Sequence, residues 1–343
     1  MQEGTHVHTI GRRSILLPIF LFGLLFMTTG IIHLKYGSPA MTWAELLAAI
    51  FSNTEVDLHR TIVWEMRIPR IVLGFLVGTM LGAAGTMMQG AMNNKLAGPE
   101  LLGISSGASL AMAAITVLHL PISVLVHPVV ALIGGLLGGF SVVLASRGSR
   151  GTVGMLLIGM SVSAILNGLL IILIALGTSN DVNLLYTYLL GSLANRNWSH
   201  VLRMLPWTAA VLPLAFHFTR TLNVLQLGDE AAAGLGVQVQ RSRLMILVLC
   251  TGLVAITVAQ CGPIGYVALL APHSIRSMVG SDDNRLVLPL SALCGGILLM
   301  TADTVARLLL YPMEIPVGVW TTLLGGAFFL FFFIKRQGGG VNA

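Results

Sequence analysis

The sequence predicts an all-α polytopic membrane protein with about ten transmembrane helices. Three observations carry this. The 343 residues are 55% hydrophobic and only 9% charged, against roughly 25% charged in soluble domains. Apolar segments bounded by charge recur along the whole chain, many of them close to the ~20 residues that one crossing needs. Glycine is abundant, 39 in all, and sits in apolar context. Small residues there let helix backbones approach closely where no hydrophobic effect drives association.

Ten spans follow in order: Ile15–Leu34, Ile71–Met88, Leu101–Leu118, Val124–Ala145, Met155–Leu176, Met204–Phe218, Leu244–Ala259, Ile264–Val279, Val287–Leu309 and Ile315–Ile334. The third is diluted by Ser105 and Ser106 and the eighth by Pro272 and His273, so eight full crossings is the alternative count. Arg12-Arg13 precedes a long apolar run without a small-residue cleavage site, which reads as a retained first helix rather than an export signal. Residues 1–14 are expected to be a cytoplasmic segment, residues 15–336 one membrane domain, and the glycine-rich residues 337–343 a disordered tail.

The placement of Lys and Arg sets the expected orientation. With ten spans and a cytoplasmic N-terminus, 12 of the 19 basic residues fall inside and 7 outside. The outer arginines, among them Arg67, Arg70, Arg196 and Arg307, run against that bias and call for another explanation. The outer stretch from Lys35 to Glu65 is expected to hold a short surface helix. The inner stretch from Gln226 to Gln240 reads QLGDEAAAGLGVQVQ. Asp229 and Glu230 suit the positive end of a helix dipole, the alanines favour helix, and Gly234 or Gly236 can close it. It is too polar to span.

Several motifs carry chemistry only in contexts absent from this sequence. Gly103-Ile104-Ser105-Ser106-Gly107 matches the G-x-S-x-G pattern of serine hydrolases, but that pattern needs a strand–turn–helix and a triad. Here it lies in an apolar span with His273 as the one plausible base, and close packing explains it better. There is no Gly-Lys pair and hence no phosphate-binding Walker A loop. Cys250, Cys261 and Cys294 lack metal-ligand spacing and read as small buried residues. No metal site is expected, and the thinly spread net charge of +6 gives no footprint for nucleic acid. Pro263, Pro272, Pro312 and Pro316 cluster with glycines, either as kinks or as breaks whose backbone lines a pathway. Asp303 and Arg307 sit one turn apart, either as a satisfied structural pair or as an exposed docking charge.

Taken together, Arg67-Ile-Pro-Arg70, Leu81 to Gln89, Asn94-Lys-Leu-Ala97, Leu101-Leu-Gly-Ile-Ser-Ser-Gly-Ala108, Leu227-Gly-Asp-Glu-Ala-Ala232, Gly262-Pro-Ile-Gly-Tyr-Val267, Ala271-Pro-His273, Ala302-Asp303 with Ala306-Arg307, and Glu314-Ile-Pro-Val-Gly318 resemble the FecCD/BtuC-like permease subunits of type II bacterial ABC importers. The resemblance runs from about Trp64 to Lys335. Lys95 and Gly98 depart from that family's usual proline and acid, and Gly326-Ala327-Phe328 from its Gly-x-Pro-Phe.

The resemblance implies a type II importer permease fold in a bacterial cytoplasmic membrane, both termini cytoplasmic. It implies a second permease subunit (homo- or heterodimer), two cytoplasmic ATPase subunits and an extracytoplasmic substrate-binding protein. Arg67, Arg70 and Arg307 would receive that binding protein. Leu227, Gly228, Asp229, Glu230, Ala231, Ala232, Gly234, Leu235 and Gly236 would couple to the ATPase. Ser163, Asn167, Trp320, Thr321 and Thr322 would line the path. No catalytic residue and no bound cofactor are expected on this chain, ATP and Mg belonging to the ATPase. The expected cargo is an iron chelate, ferric siderophore before haem and haem before cobalamin. The alternative is an ion-coupled secondary transporter, which would normally bury acids within its spans; here only Asp303 qualifies.

Overall fold

A computed structural model describes residues 12–37, 39–51, 58–146, 151–311 and 313–338. Most of the expected N-terminal segment, residues 1–11, and residues 339–343 of the expected tail lie outside the described residues. Helix continues through Gln337 and Gly338, where the tail was expected to begin.

The described residues form helices joined by short connections, with no strand among them. In order they are α1 (Arg12–Lys35), α2 (Trp43–Phe51), α3 (Leu58–Thr61), a π-helical stretch (Ile62–Arg67), α4 (Ile68–Met92), a 3₁₀ turn (Pro99–Leu102), α5 (Ile104–Val117), α6 (His127–Ala145) and α7 (Gly151–Leu176). There follow α8 (Ser179–Leu189), α9 (Trp198–His217), α10 (Thr219–Leu225), α11 (Asp229–Gly234), α12 (Val239–Cys261), α13 (Val267–Val279), α14 (Asn284–Leu309) and α15 (Val317–Gly338). The expected surface helix after the first span is α2, and the expected short helix in the Gln226–Gln240 stretch is α11.

Each of the ten expected spans coincides with a helix, but their lengths differ. Among the described residues six helices are long and apolar enough to cross a bilayer, or seven if α9 and α10, bent by 45°, form one span. The apolar parts of α5 and α15 are shorter. At 13 residues α13 rises only about 20 Å, less than the ~30 Å hydrocarbon core. The segments diluted by serine, proline and histidine are thus partial helices, each entered by chain outside any α-helix: residues 93–103, with their 3₁₀ turn, before α5, and 262–266 before α13.

The bundle is centred on α4, whose residues from Val77 to Met92 are all buried. It lies along α14 at backbone contact. A Cβ added at Gly78 would overlap the carbonyl of Gly295, and one at Gly82 would overlap that of Ser291. The same device joins α5 to α6, where Gly107 and Gly138 face Gly134 and Gly103. Leu73, Met80, Met87, Met88 and Met92 fill the space left beside these contacts. Large apolar side chains point outward instead on α1, α6 and α7, for example Phe20, Leu24, Leu137, Phe140, Ile165 and Ile171. That surface suits lipid, and in lipid it is no liability. Cys250, Cys261 and Cys294 are buried and unbridged.

The glycine contacts make a direct test. Gly78→Ala should destabilise the protein by about 1–3 kcal/mol, the usual cost of overpacking. Gly23→Ala, whose Cβ meets open space on α1, should change stability by no more than about 0.5 kcal/mol. Thermal unfolding of the purified variants in detergent compares the two. Equal midpoints would mean that α4 and α14 are not held at backbone contact.

Candidate functional sites at the ends and in the middle of the bundle

Arg67, Arg70 and Arg307, which the resemblance assigned to one docking role, converge at one end of the bundle, but each is already engaged. Arg67 is 3% exposed and donates to the carbonyls of Leu34 and Pro39, closing off the chain that leaves α1. Arg307 is 5% exposed and donates to the carbonyls of His33 and Tyr36 at 2.8 and 2.6 Å. Arg70 grips Asp303 with Nε and Nη2 at 2.8 and 2.9 Å and reaches Glu314 with Nη1 at 2.8 Å. The candidate Asp303–Arg307 pair is therefore replaced. Asp303 pairs across to α4, and Arg307 serves backbone carbonyls at the end of α1. The planar guanidinium makes this possible, since its fork matches a carboxylate bidentately.

These arginines nonetheless line one cavity of about 240 Å³, together with Ile62, Met66, Arg196 and Glu314. Arg196 stands in the Leu190–Asn197 connection, with its Nη1 3.2 Å from His200 Nε2. The sequence listed Arg196 among the outer arginines without joining it to the other three. Only the fold brings the start of α9 beside α4.

At the opposite end α11 projects beyond the bundle. Leu227 and Leu235 are 63% and 64% exposed, and Glu230, Ala231, Gly234 and Gly236 are exposed with them. Ala232 is fully buried and packs into this chain's own core, so it seats α11 on the bundle. Gly228 precedes the helix at φ +98° and Gly236 follows at φ +83°, both in the region glycine favours. Asp229, half exposed, is fixed by Arg243 of α12 through Nη1 and Nη2 at 2.8 and 2.6 Å. The Nε of Arg243 donates to the carbonyl of Ala91 at 2.8 Å. One side chain thus joins α11, α12 and the end of α4, and α4 runs roughly 36 Å to the arginine cluster.

Between the ends lies a cavity of about 710 Å³. Three interruptions of helix meet beside it: the end of α8, the α12–α13 break and the start of α15. Ser192 N–H donates to Cys261 at 2.8 Å and Gly318 N–H to Gly191 at 2.9 Å, while the Tyr188 hydroxyl caps Val258 at 2.9 Å. Backbone freed from helix is satisfied by backbone freed elsewhere, which is how non-helical chain survives at membrane depth. Tyr266 heads α13 at φ +65°, a left-handed conformation costing roughly 1–2 kcal/mol for a residue with a side chain. Its ring lies where a Cβ on Gly325 of α15 would stand.

Ser163, Asn167 and Thr322, which the resemblance placed along a path, line this cavity. Trp320 and Thr321 are placed elsewhere: Trp320 packs against the main core, and Thr321 is buried with its hydroxyl on the Gly318 carbonyl at 3.1 Å. Sequence reasoning missed Glu100, Ser105, Ser106 and Ser109, which also line it. The signal was present in the G-x-S-x-G run, whose hydroxyls face a cavity from the first turns of α5 and follow a 3₁₀ turn rather than a strand.

The pattern that describes the FecCD transport family matches residues 24–335. The chain is 36% identical over 324 residues to the Fe(3+) dicitrate transport system permease protein FecD of Escherichia coli K12, covering 94% of this chain and all of that one. It is 36% identical to the hemin transport system permease protein HmuU of Yersinia pestis, covering 93% and 97%. It is 34% identical to the cobalamin import system permease protein BtuC of Halobacterium salinarum, covering 88% and 81%. Among solved structures, a metal-chelate type ABC transporter in an inward-facing conformation superposes with a TM-score of 0.79 at 28% identity, covering 92% and 98%.

The two acids on Arg70 should differ sharply in weight. Asp303 is 2% exposed and Glu314 37% exposed. Asp303→Ala strands a buried guanidinium and should cost about 3–5 kcal/mol, whereas Glu314→Ala should cost about 0–1 kcal/mol. Denaturant unfolding in detergent measures both, and comparable losses would refute this ranking.

Proposed function

The chain belongs to the FecCD transport family, and on that premise we propose how its three sites divide the work of import. It is a permease subunit of an ATP-binding-cassette importer for iron chelates, embedded in a membrane by its apolar helices. The finer reading, carried chiefly by the cavity beside the three meeting helix breaks, is as follows. The cavity is this chain's share of a path shared with a second permease subunit. The arginine-lined end faces the extracytoplasmic side and receives the substrate-binding protein. The α11 end and both termini face the cytoplasm, where α11 engages an ATPase subunit that holds ATP and Mg. The cargo is a ferric siderophore before haem or cobalamin.

The arginine cluster supports docking in a specific way. Arg67 and Arg307 hold this chain's own loops, so their charge reaches a partner through the cavity rather than as free side chains. An acidic side chain entering there would meet four guanidinium groups and compete with exposed Glu314. Arg196 is the arginine least tied to the fold. Arg196→Glu should therefore weaken binding-protein affinity at least tenfold in a surface-binding assay, with thermal stability unchanged. Full affinity in that variant would place docking elsewhere.

At the other end, exposed Leu227 and Leu235 flank α11 as an apolar pair suited to a partner cleft. Leu235→Asp should release ATPase subunits during co-purification while the permease remains folded. A full ATPase complement with normal coupling would argue that α11 is not the contact.

The mechanism needs no catalytic side chain here. Nucleotide-driven motion of the ATPase subunits would move α11, and the Asp229–Arg243–Ala91 chain of contacts offers a route into α4 and α12. The alternative of ion-coupled transport draws little support from Asp303, the acid that the sequence placed within a span, because Arg70 holds it. Reconstituted with its partners in proteoliposomes, the permease should accumulate iron chelate only with ATP, and should continue when proton and sodium gradients are collapsed. Accumulation by the permease alone, driven by an ion gradient, would overturn the assignment.

A further inference from the structure

The 710 Å³ cavity has one charged group among its lining residues, the carboxylate of Glu100; the polar remainder consists of hydroxyls and an amide, with no lysine, arginine or histidine. Glu100 sits on the 3₁₀ turn before α5 and is exposed to the cavity. Its Oε1 accepts the Tyr266 N–H at 3.3 Å. Its Oε2 occupies the place a Cβ on Gly98 would need. Three other carboxylates are paired with cations: Asp303 with Arg70, Asp229 with Arg243, and Asp282 with Lys95 and Arg276. Glu100 accepts the Tyr266 N–H instead, and no cationic side chain shares the cavity lining with it.

We infer that Glu100 sets the charge selectivity of this chain's part of the path, favouring iron chelates that present neutral or cationic groups, such as hydroxamate and amide donors, over polyanionic carboxylate complexes. A single charge in a narrow, low-dielectric cleft is poorly screened and biases the local concentration of mobile ions of either sign. Ser105, Ser106, Ser109, Ser163, Asn167 and Thr322 would meet the polar surface of such a cargo with exchangeable hydrogen bonds and no fixed charge. The inference rests on the cavity belonging to the transport path.

Asn167 is exposed on α7 and lines the cavity, whereas the three native cysteines are buried. Asn167→Cys is therefore a reporter that needs no knowledge of the cargo. In the complete transporter, its thiol is reacted with a trimethylammonium and with a sulfonate methanethiosulfonate, and the ratio of rates is compared with that of a free thiol. The cationic reagent should be favoured on the order of tenfold over the free-thiol ratio. Adding Glu100→Gln should return the ratio to the free-thiol value, and Glu100→Asp should preserve the bias. Thr322→Cys, from α15, repeats the measurement if the first variant does not assemble. A ratio indifferent to Glu100→Gln, or a thiol that neither reagent reaches, overturns the inference. Repeating the reaction during ATP turnover separates the two claims. A rate that ignores ATP counts against the cavity as part of the path, while an ATP-dependent rate with a flat ratio removes only the role of Glu100.

Discussion

The approach of α4 and α14 to backbone contact is the constraint on which the rest of this bundle depends. Where Gly78 meets Gly295 and Gly82 meets Ser291, no Cβ fits between the helices. In lipid there is little hydrophobic gain in bringing one apolar helix to another, so dispersion over a close, well-fitted surface must hold them. That fit also fixes register. With α14 seated on α4, Asp303 arrives opposite Arg70, and a buried ion pair that would be costly in poor geometry becomes bidentate and satisfied. Arg307, one turn further, is then delivered to the carbonyls at the end of α1.

The same frame explains why the functional features lie where helices stop. α8, α12 and α15 break beside one another, and their freed backbone groups pair across the breaks. The bundle thereby keeps a cavity with hydroxyl, amide and carboxylate groups in its lining, beside breaks whose backbone groups find partners. At the α11 end, Arg243 ties Asp229 to the last turn of α4. That links α11 directly to a helix buried from Val77 to Met92 rather than to a loop. Motion in such packed assemblies goes to hinges and breaks, because close-packed cores are not continuously deformable.

Much of this was legible in the sequence. Hydropathy located ten helical segments, and the meaning of Gly78, Gly82, Gly107 and Gly138 followed from glycine in apolar context. Asp229 and Glu230 marked α11 through dipole chemistry. The resemblance then joined these pieces into one family. What the sequence could not supply was partnership across the fold. Asp303 lies four residues from Arg307 but 233 from Arg70, and only helix register chooses between them. Ala232 looked like a partner contact until its direction was known. Glu100 entered no reading of the sequence, and Arg196 joined the arginine cluster only when α9 was placed. In each case local pattern gave the element, and long-range packing gave the side chain its neighbour.

If the α4–α14 pair is the fixed frame and the cavity the moving part, their distances must respond differently to nucleotide. Spin labels at exposed positions can read this in a transporter carrying one labelled permease. One pair, Asn93 and Leu309, spans the α4–α14 unit; the other, Met160 and Leu324, reports on α7 and α15, the two helices that carry Asn167 and Thr322. The expected result is an unchanged distance distribution for Asn93–Leu309 on ATP binding, with a shifted one for Met160–Leu324. A shift within α4–α14 while α7 and α15 keep their separation would contradict the division into frame and moving path.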